Sequence, residues 1–267
     1  MAYRDRIGKF TYGVSGNLNH VENKVLKFQN NPDVVQSLGN NLIIKQGESI
    51  NSIYGYEAVG IFKDQTEIAA WAKQKTSGTN KPGDLKYKDQ NGDKVINGSD
   101  RVIIGKNIPD YYYGFSGDVG YKGFNLSFLF QGVTGVDRYY QNLWYTTAIR
   151  YRRAVNAEFL DAWTPENPNS LNPRLTTDAN TDNTVASSYW VQNGSFLRLK
   201  NLQLSYSFPA RLTQKISMSN LQLYANGQNL FTSTKFNGLD PETATPTNSL
   251  VEHPNVRIIS FGLNATF

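Results

Sequence analysis

Apolar side chains recurring at every second residue, in strands joined by connections that are alternately short and long, leave few folds open to this chain. From Phe10 the apolar positions keep one parity (Phe10, Tyr12, Val14, Leu18) while Thr11, Ser15, Asn17 and Asn19 keep the other. Successive side chains of a strand point to opposite faces, so this is a strand with one apolar and one polar face. The same period governs Tyr113, Phe115, Val119 and Tyr121. After a tight Lys122-Gly123 turn it continues through Phe124, Leu126, Phe128 and Phe130, which reads as a hairpin. It returns at Leu202, Leu204, Tyr206 and Phe208, around Leu221 and Leu223, and at Ile259, Phe261, Leu263, Ala265 and Phe267. Shorter candidates lie at Asn23–Phe28, Asn41–Lys45 and Ser52–Phe62, making nine in all.

The connections between these nine alternate in length. Residues 20–22 form a short turn, 29–40 a longer loop, 46–51 a short turn and 63–110 a very long loop. A two-residue turn, a long excursion over 134–194, a moderate turn at 209–220 and a long loop at 232–255 follow. In an up-and-down antiparallel meander this places every long loop at one end and every tight turn at the other, the asymmetry of outer-membrane barrels. A soluble β-sandwich also shows alternating strands. Here, however, one face is rich in Asn, Ser, Gln and Thr, and the other is aromatic, with Tyr near strand ends as interfacial girdles require. The expected fold is therefore all-β, an antiparallel transmembrane β-barrel portion with long extracellular loops that carry short helical segments.

Composition narrows the function classes. The 16 Tyr and 14 Phe favour strands, and a formal charge of +5, carried by scattered basic residues, does not point to a nucleic-acid partner. With no cysteine, the chain has no disulfide, thiolate nucleophile or zinc-thiolate site. It contains no apolar run long enough for a transmembrane helix. His20 and His253 fall in connections at opposite ends of the meander. No nucleophile elbow, P-loop or HExxH occurs, and no spaced carboxylate pair marks a glycosidase, so no catalytic role is expected. Tyr139, Tyr140, Trp144 and Tyr145 offer apolar faces with polar tips that suit stacking on sugars as well as loop packing. Helix-like stretches lie at Glu67–Ala72 and Ala154–Trp163, the latter stopped by Pro165.

Residues 89–100, DQNGDKVINGSD, place Asp89, Asn91, Asp93, Asn97 and Asp100 at spacings that bring side-chain oxygens around one point, with the Val95 carbonyl completing the set. Lys94 stands where the sharp turn of an EF-hand takes glycine, and Asp100 is shorter than the usual closing glutamate. Both a cation cage and a plain polar turn satisfy this pattern. The expectation carried forward is that Asp89, Asn91, Asp93, Val95, Asn97 and Asp100 bind calcium, or magnesium, as a clasp that stiffens a long outer loop.

In order along the chain, GYEAVGIF, PGDLKYKDQNGDKVINGSDRVIIG, YYYGFSGDVGYKGFNLSFLFQGVTG, WTPENPNS, NPRL, GSFLRLKNLQLSYSFP, LYANGQNLF, FNGLDPE and the closing ISFGLNATF resemble the C-terminal part of the SusC/RagA family of TonB-dependent outer-membrane transporters. The resemblance runs from about Phe10 to Phe267. It implies the C-terminal part of a barrel of about 22 strands, placed in the bacterial outer membrane and in contact with its lipid. It also implies a SusD-like surface lipoprotein partner, energy from the TonB complex, and import of oligosaccharide or peptide. Residues 1–267 are expected to form that barrel part alone, without plug, TonB box or N-terminal strands. The alternative class is a secreted or surface β-sandwich that binds glycans and carries a calcium-braced loop.

Overall fold

The computed structural model describes residues 2–27, 33–36, 41–76, 79–140, 157–178, 181–242 and 254–267. Its main element is a seven-stranded sheet of β1 (Ala2–Ile7), β2 (Phe10–His20), β3 (Tyr111–Tyr121), β4 (Phe124–Thr134), β5 (Phe196–Ser207), β6 (Asn220–Thr234) and β7 (Ile258–Thr266). The strands are hydrogen-bonded in chain order, every neighbouring pair antiparallel. The sheet is open, with β1 and β7 at its edges.

The register confirms the one-sided alternation. Tyr12, Val119, Leu126, Leu204 and Ala225 lie directly across from one another, as do Phe10, Tyr121, Phe124, Tyr206 and Leu223. This apolar face is uncovered: Leu18, Phe124, Phe231, Ile259, Phe261 and Leu263 are all exposed. A soluble sandwich would bury these side chains against a second sheet, so the sandwich alternative gives way to a wall that faces lipid. Tyr111 and Tyr121 bracket the face. Their separation is about 33 Å along the strand, or about 25 Å of membrane thickness at the roughly 40° tilt of such barrels.

Two local features set the register. Lys122 (φ 46°) and Gly123 (φ 90°) are both left-handed, the two-residue turn whose twist matches a β-hairpin. Pairing slips by one residue at Lys200 of β5, between Leu199 and Asn201. Leu202, Leu204 and Tyr206 have even numbers, whereas Leu197 and Leu199 have odd ones. The bulge at Lys200 keeps both sets on the lipid side and turns Arg198 to the polar side.

The nine expected strands are corrected in two ways. The N-terminal segment before Phe10 is itself a wall strand, β1, joined to β2 by a Gly8-Lys9 turn. Its alternation is interrupted by Asp5, which lies across from Tyr12 on the apolar side between Tyr3 and Ile7. The short candidates at 41–45 and 52–62 are not wall strands. They become Leu42–Lys45, Ser52–Gly55 and Ala58–Ile61 of the loop layer, and residues 23–27 run without regular structure beside a turn, through Val25 to Glu48 and Gly47 backbone bonds. Connections 21–110, 135–195 and 235–257 consequently share one end of the wall, and the turns at 8–9, 122–123 and 208–219 share the other.

The long connections fold into a crown with its own core. Asp33–Gln36, Leu42–Lys45, Ser52–Gly55 and Val102–Gly105 form a four-stranded sheet, and three two-stranded pairs accompany it. The short helix α1 (Gln65–Ala70) starts at Asp64, whose carboxylate accepts the Glu67 N–H, and so realises the helical signal near Glu67. Of the Ala154–Trp163 stretch, the described part holds a 3-10 turn at Ala157–Phe159; residues 154–156 lie outside the described residues. Among the described residues, Val133 and Phe196 are the buried apolar side chains that belong to wall strands. The rest, including Leu42, Ile53, Tyr87, Ile96, Tyr139 and Trp190, sit in the crown.

Because Leu202 lies near mid-wall opposite Phe128 and Gly227, Leu202→Arg is expected to cost about 2–4 kcal/mol of barrel stability in a bilayer. Gln203→Arg, one residue away on the polar face, is expected to cost much less. Urea titration of the refolded barrel in vesicles, read by tryptophan emission, checks the difference.

Candidate functional site

The polar face of the wall is a hydrogen-bonded surface of amides and hydroxyls. Ser15 and Ser116 Oγ atoms are 2.7 Å apart, Arg4 donates to Asp118 at 3.2 Å, and the Asn226 amide donates to Asn201 at 2.7 Å. Gln222 donates to Ser205 and Ser207, each at 3.3 Å, and accepts from Asn264 at 3.3 Å. Side chains of this kind exchange hydrogen bonds with water or a polar solute at little cost, and the arrangement groups no nucleophile with a base. It is a hydrogen-bonding lining opposite the apolar face.

Above it, buried arginines stitch the three long connections together. Arg198, from β5, donates to Asp240 at 2.6 Å and to Glu242 at 2.6 Å; Arg198 and Asp240 are 2% and 4% exposed. Lys200, the bulged residue, reaches both Glu242 oxygens at 2.9 and 2.8 Å. Arg138 donates to the Pro241 carbonyl at 3.2 Å and to the Asn107 side-chain and main-chain oxygens at 2.9 and 3.1 Å. Connections 21–110, 135–195 and 235–257 thus meet at one guanidinium. Burial works against ionisation of Asp240, but Arg198 and the N–H groups of Glu242 and Asn255 outweigh it and hold this carboxyl below its ordinary value.

A second stitch joins residues about a hundred positions apart. Asp84 is buried, accepts from Arg174 at 2.7 Å and from the Asn183 amide at 2.9 Å, and Asn183 in turn accepts the Leu85 N–H at 2.7 Å. Burial pushes the Asp84 carboxyl up against the pull of Arg174. Gly83 beside it is left-handed (φ 88°) and lies against the Trp163 ring, where a side chain would collide. The blocks PGDL, WTPENPNS and NPRL, far apart in sequence, are therefore one contact.

The 89–100 loop hangs from this crown. Asp89 accepts the Gly92 and Lys94 N–H groups at 2.7 and 2.8 Å, Asn91 accepts Asp93 N–H at 2.9 Å, and Asp93 accepts Val95 N–H at 2.7 Å. Lys94 takes the left-handed position (φ 62°) that its place in the spacing called for. Asn97 caps a 3-10 turn by accepting Ser99 N–H. Asp100 is fully buried, with one oxygen on Gln90 N–H at 2.9 Å and the other on Asn97 N–H at 2.8 Å. Asp89, Asn91 and Asp93 lie on the outer turn, the Val95 carbonyl accepts the Asn97 amide at 3.4 Å, and Asp100 lies inside. Among the described residues, no three His, Cys, Asp or Glu side chains are grouped so as to hold a metal.

The remaining expected site residues divide. His20 stacks on Tyr111 with ring centroids 4.7 Å apart, its Nδ1 3.0 Å from the Asp110 carbonyl, a rim contact. Tyr139 is buried in the crown core, and Tyr140 packs edge-on against Phe236 at 5.4 Å. Trp144, Tyr145 and His253 lie outside the described residues. The arginine stitches carry no spacing motif. Their sequence signal is a charged residue inside an otherwise alternating strand, as in FLRLKNLQL, paired with an isolated Asp-Pro-Glu.

An open antiparallel wall with a bare apolar face, a polar face, tight turns at one end and a folded crown at the other defines a portion of an outer-membrane β-barrel. The curated relatives carry the identification further. TonB-dependent receptor P3 of Formosa agariphila is 33% identical over 278 residues, covering 97% of this chain and 27% of that protein. TonB-dependent receptor P26 of the same organism is 34% identical over 248 residues, covering 88% and 24%. SusC of Bacteroides thetaiotaomicron is 27% identical over 273 residues, covering 97% and 24%. The solved structure of the RagAB peptide transporter superposes with a TM-score of 0.79 at 22% identity, covering 100% of this chain and 28% of that one. No family model matches the chain. Over nearly its whole length the chain is similar to one part of these TonB-dependent receptors, SusC among them, and it has the fold of part of the RagAB peptide transporter. It spans about a quarter of the length of these curated relatives.

Asp240→Ala, which leaves the buried Arg198 with Glu242 as its remaining carboxylate, is expected to loosen the crown by about 1.5–3 kcal/mol, seen as faster hydrogen exchange over residues 236–242. With the folded pKa of Asp240 below its unfolded value, the latch is intact above the ordinary aspartate range of about 3.9. It is lost as pH falls through the folded value, and exchange of residues 236–242 should rise in acid. Asp100→Ala strands the part-buried Gln90 and Asn97 N–H groups and is expected to cost about 1–3 kcal/mol, measured by the protease resistance of residues 85–105.

Proposed function

We propose that this chain is the C-terminal barrel portion of a nutrient importer, in which the amide- and hydroxyl-rich wall lines the route of a polar oligomer, oligosaccharide or peptide, and the crown faces outward. The observation that carries this reading is the sidedness of the sheet. Its apolar face has no protein cover, its other face is a continuous hydrogen-bonding surface, and all its large loops stand at one end. The relatives' names, receptors dependent on TonB, support energy from a TonB complex acting on parts of the full-length protein beyond the relatives' matched quarter. RagAB is a peptide transporter, and SusC is among the relatives. That supports pairing of the crown with a SusD-like surface lipoprotein.

Within the crown, we propose that residues 89–100 act as a clasp stiffened by their own turn hydrogen bonds, with Asp100 as the inner anchor. A calcium-induced rise in the thermal midpoint of the folded barrel would instead favour the six-oxygen cage of Asp89, Asn91, Asp93, Val95, Asn97 and Asp100.

The test of function is uptake. Cells deleted for the full-length receptor gene are expected to lose import of either labelled oligosaccharides or labelled peptides, and to regain it with the intact gene. The receptor should fractionate with the outer membrane and co-purify with a lipoprotein. Unchanged uptake of both substrate classes, or recovery of the receptor as a detergent-free monomer, would sink the reading.

A further inference from the structure

We propose that the helical turn between β5 and β6 is a membrane-surface anchor, which lies on the phospholipid leaflet at the tight-turn end of the wall and binds lipid phosphates through Arg211 and Lys215. The proposal rests on the barrel reading above. The other two connections at this end are the two-residue turns Gly8-Lys9 and Lys122-Gly123. This one instead builds α2 (Ala210–Thr213), continues as a 3-10 turn over Gln214–Ile216 and stops at Ser217, which is left-handed (φ 56°).

Thr213 is the buried residue of the turn, held by its own hydroxyl to the Ala210 carbonyl at 3.3 Å and through its carbonyl to the Met218 N–H at 3.0 Å. Leu212 and Ile216, four residues apart and so on one flank, are 53% and 55% exposed. Arg211 and Lys215, also four apart and each two residues from Thr213, fall on the side opposite the buried anchor. Two large apolar side chains on one flank with two cations beside them form the pattern of a segment lying in a membrane interface, apolar side toward the acyl boundary and cations among phosphates.

The flanking residues say which surface covers it. The chain enters from the lipid-facing aromatics Tyr206 and Phe208, whose ring centroids are 5.0 Å apart, with Phe124 against Tyr206 at 4.6 Å. It leaves through Leu221 and Leu223, paired with Ala265 and Leu263 on the same apolar face. The turn thereby extends the aromatic girdle at its headgroup edge.

The test places single nitroxides at Leu212→Cys, Ile216→Cys and, as a control on the wall, Leu223→Cys. It uses the full-length receptor in an otherwise cysteine-free background, and this chain has no cysteine to remove. In vesicles of phosphatidylethanolamine and phosphatidylglycerol, positions 212 and 216 are expected to collide with oxygen in preference to a water-soluble nickel chelate, as 223 does. The Arg211→Glu, Lys215→Glu double variant is expected to lose that preference at 212 and 216 and keep it at 223. Nickel preference at 212 and 216 with oxygen preference at 223 overturns the anchor, and so does protection from both reagents, which would mean packing against protein. An unaffected double variant overturns the phosphate contacts. Loss of oxygen preference at 223 overturns the barrel reading itself.

Discussion

Every peptide group of the wall has to find its partner inside the sheet, because the face that carries Phe124, Leu204 and Phe261 borders a medium with no hydrogen bonds to offer. An unpaired group there costs several kcal/mol by order of magnitude. That requirement explains the uninterrupted antiparallel ladder from β1 to β7 and the confinement of irregular backbone to the ends. The register slip at Lys200 is its main exception. The bulged residue sits where its ammonium reaches Glu242, so the departure from the ladder serves the crown above it.

Since the wall buries almost nothing of its own, order in the long connections comes from elsewhere. Tyr87, Ile96, Tyr139 and Trp190 supply an apolar core, and Arg138, Arg198 and Asp84 tie segments that are far apart in the chain. A buried ion pair contributes little net stability against a well-packed apolar alternative, yet it tolerates few arrangements, because a misplaced loop would leave a charge buried without a partner. The crown therefore holds one geometry over the polar wall.

Much of this is legible in the sequence. Period-two alternation located six of the seven wall strands, and the connection lengths set 63–110, 134–194 and 232–255 opposite the turns at 122–123 and 209–220, whereas the expected turns at 20–22 and 46–51 fall in the crown. The errors have physical causes. Leu42–Lys45 and Ser52–Gly55 have the apolar content of strands and are strands, but local pattern does not reveal whether a strand joins the wall or a loop sheet. Ala2–Ile7 lacks the alternation because Asp5 stands on its apolar side, across from Tyr12. The spacing of 89–100 indicated a tight coil around Asp89. That Asp100 turns inward to hold Gln90 and Asn97 depends on the packing beneath it.

The sequence by itself determined that the chain makes two-faced strands, apolar toward lipid and polar away from it, with all large loops at one end. Side-chain parity and turn chemistry are local, and each is written within a few residues. The tertiary structure alone decided that Arg198 meets Asp240, that Arg138 meets Asn107 and Pro241, and that Asp84 meets Arg174. It decided equally that Leu212 and Ile216 are left uncovered beside the aromatic girdle. These contacts join residues tens to a hundred positions apart, and they exist because a single-faced wall leaves its long connections to bury their charges and apolar side chains against one another.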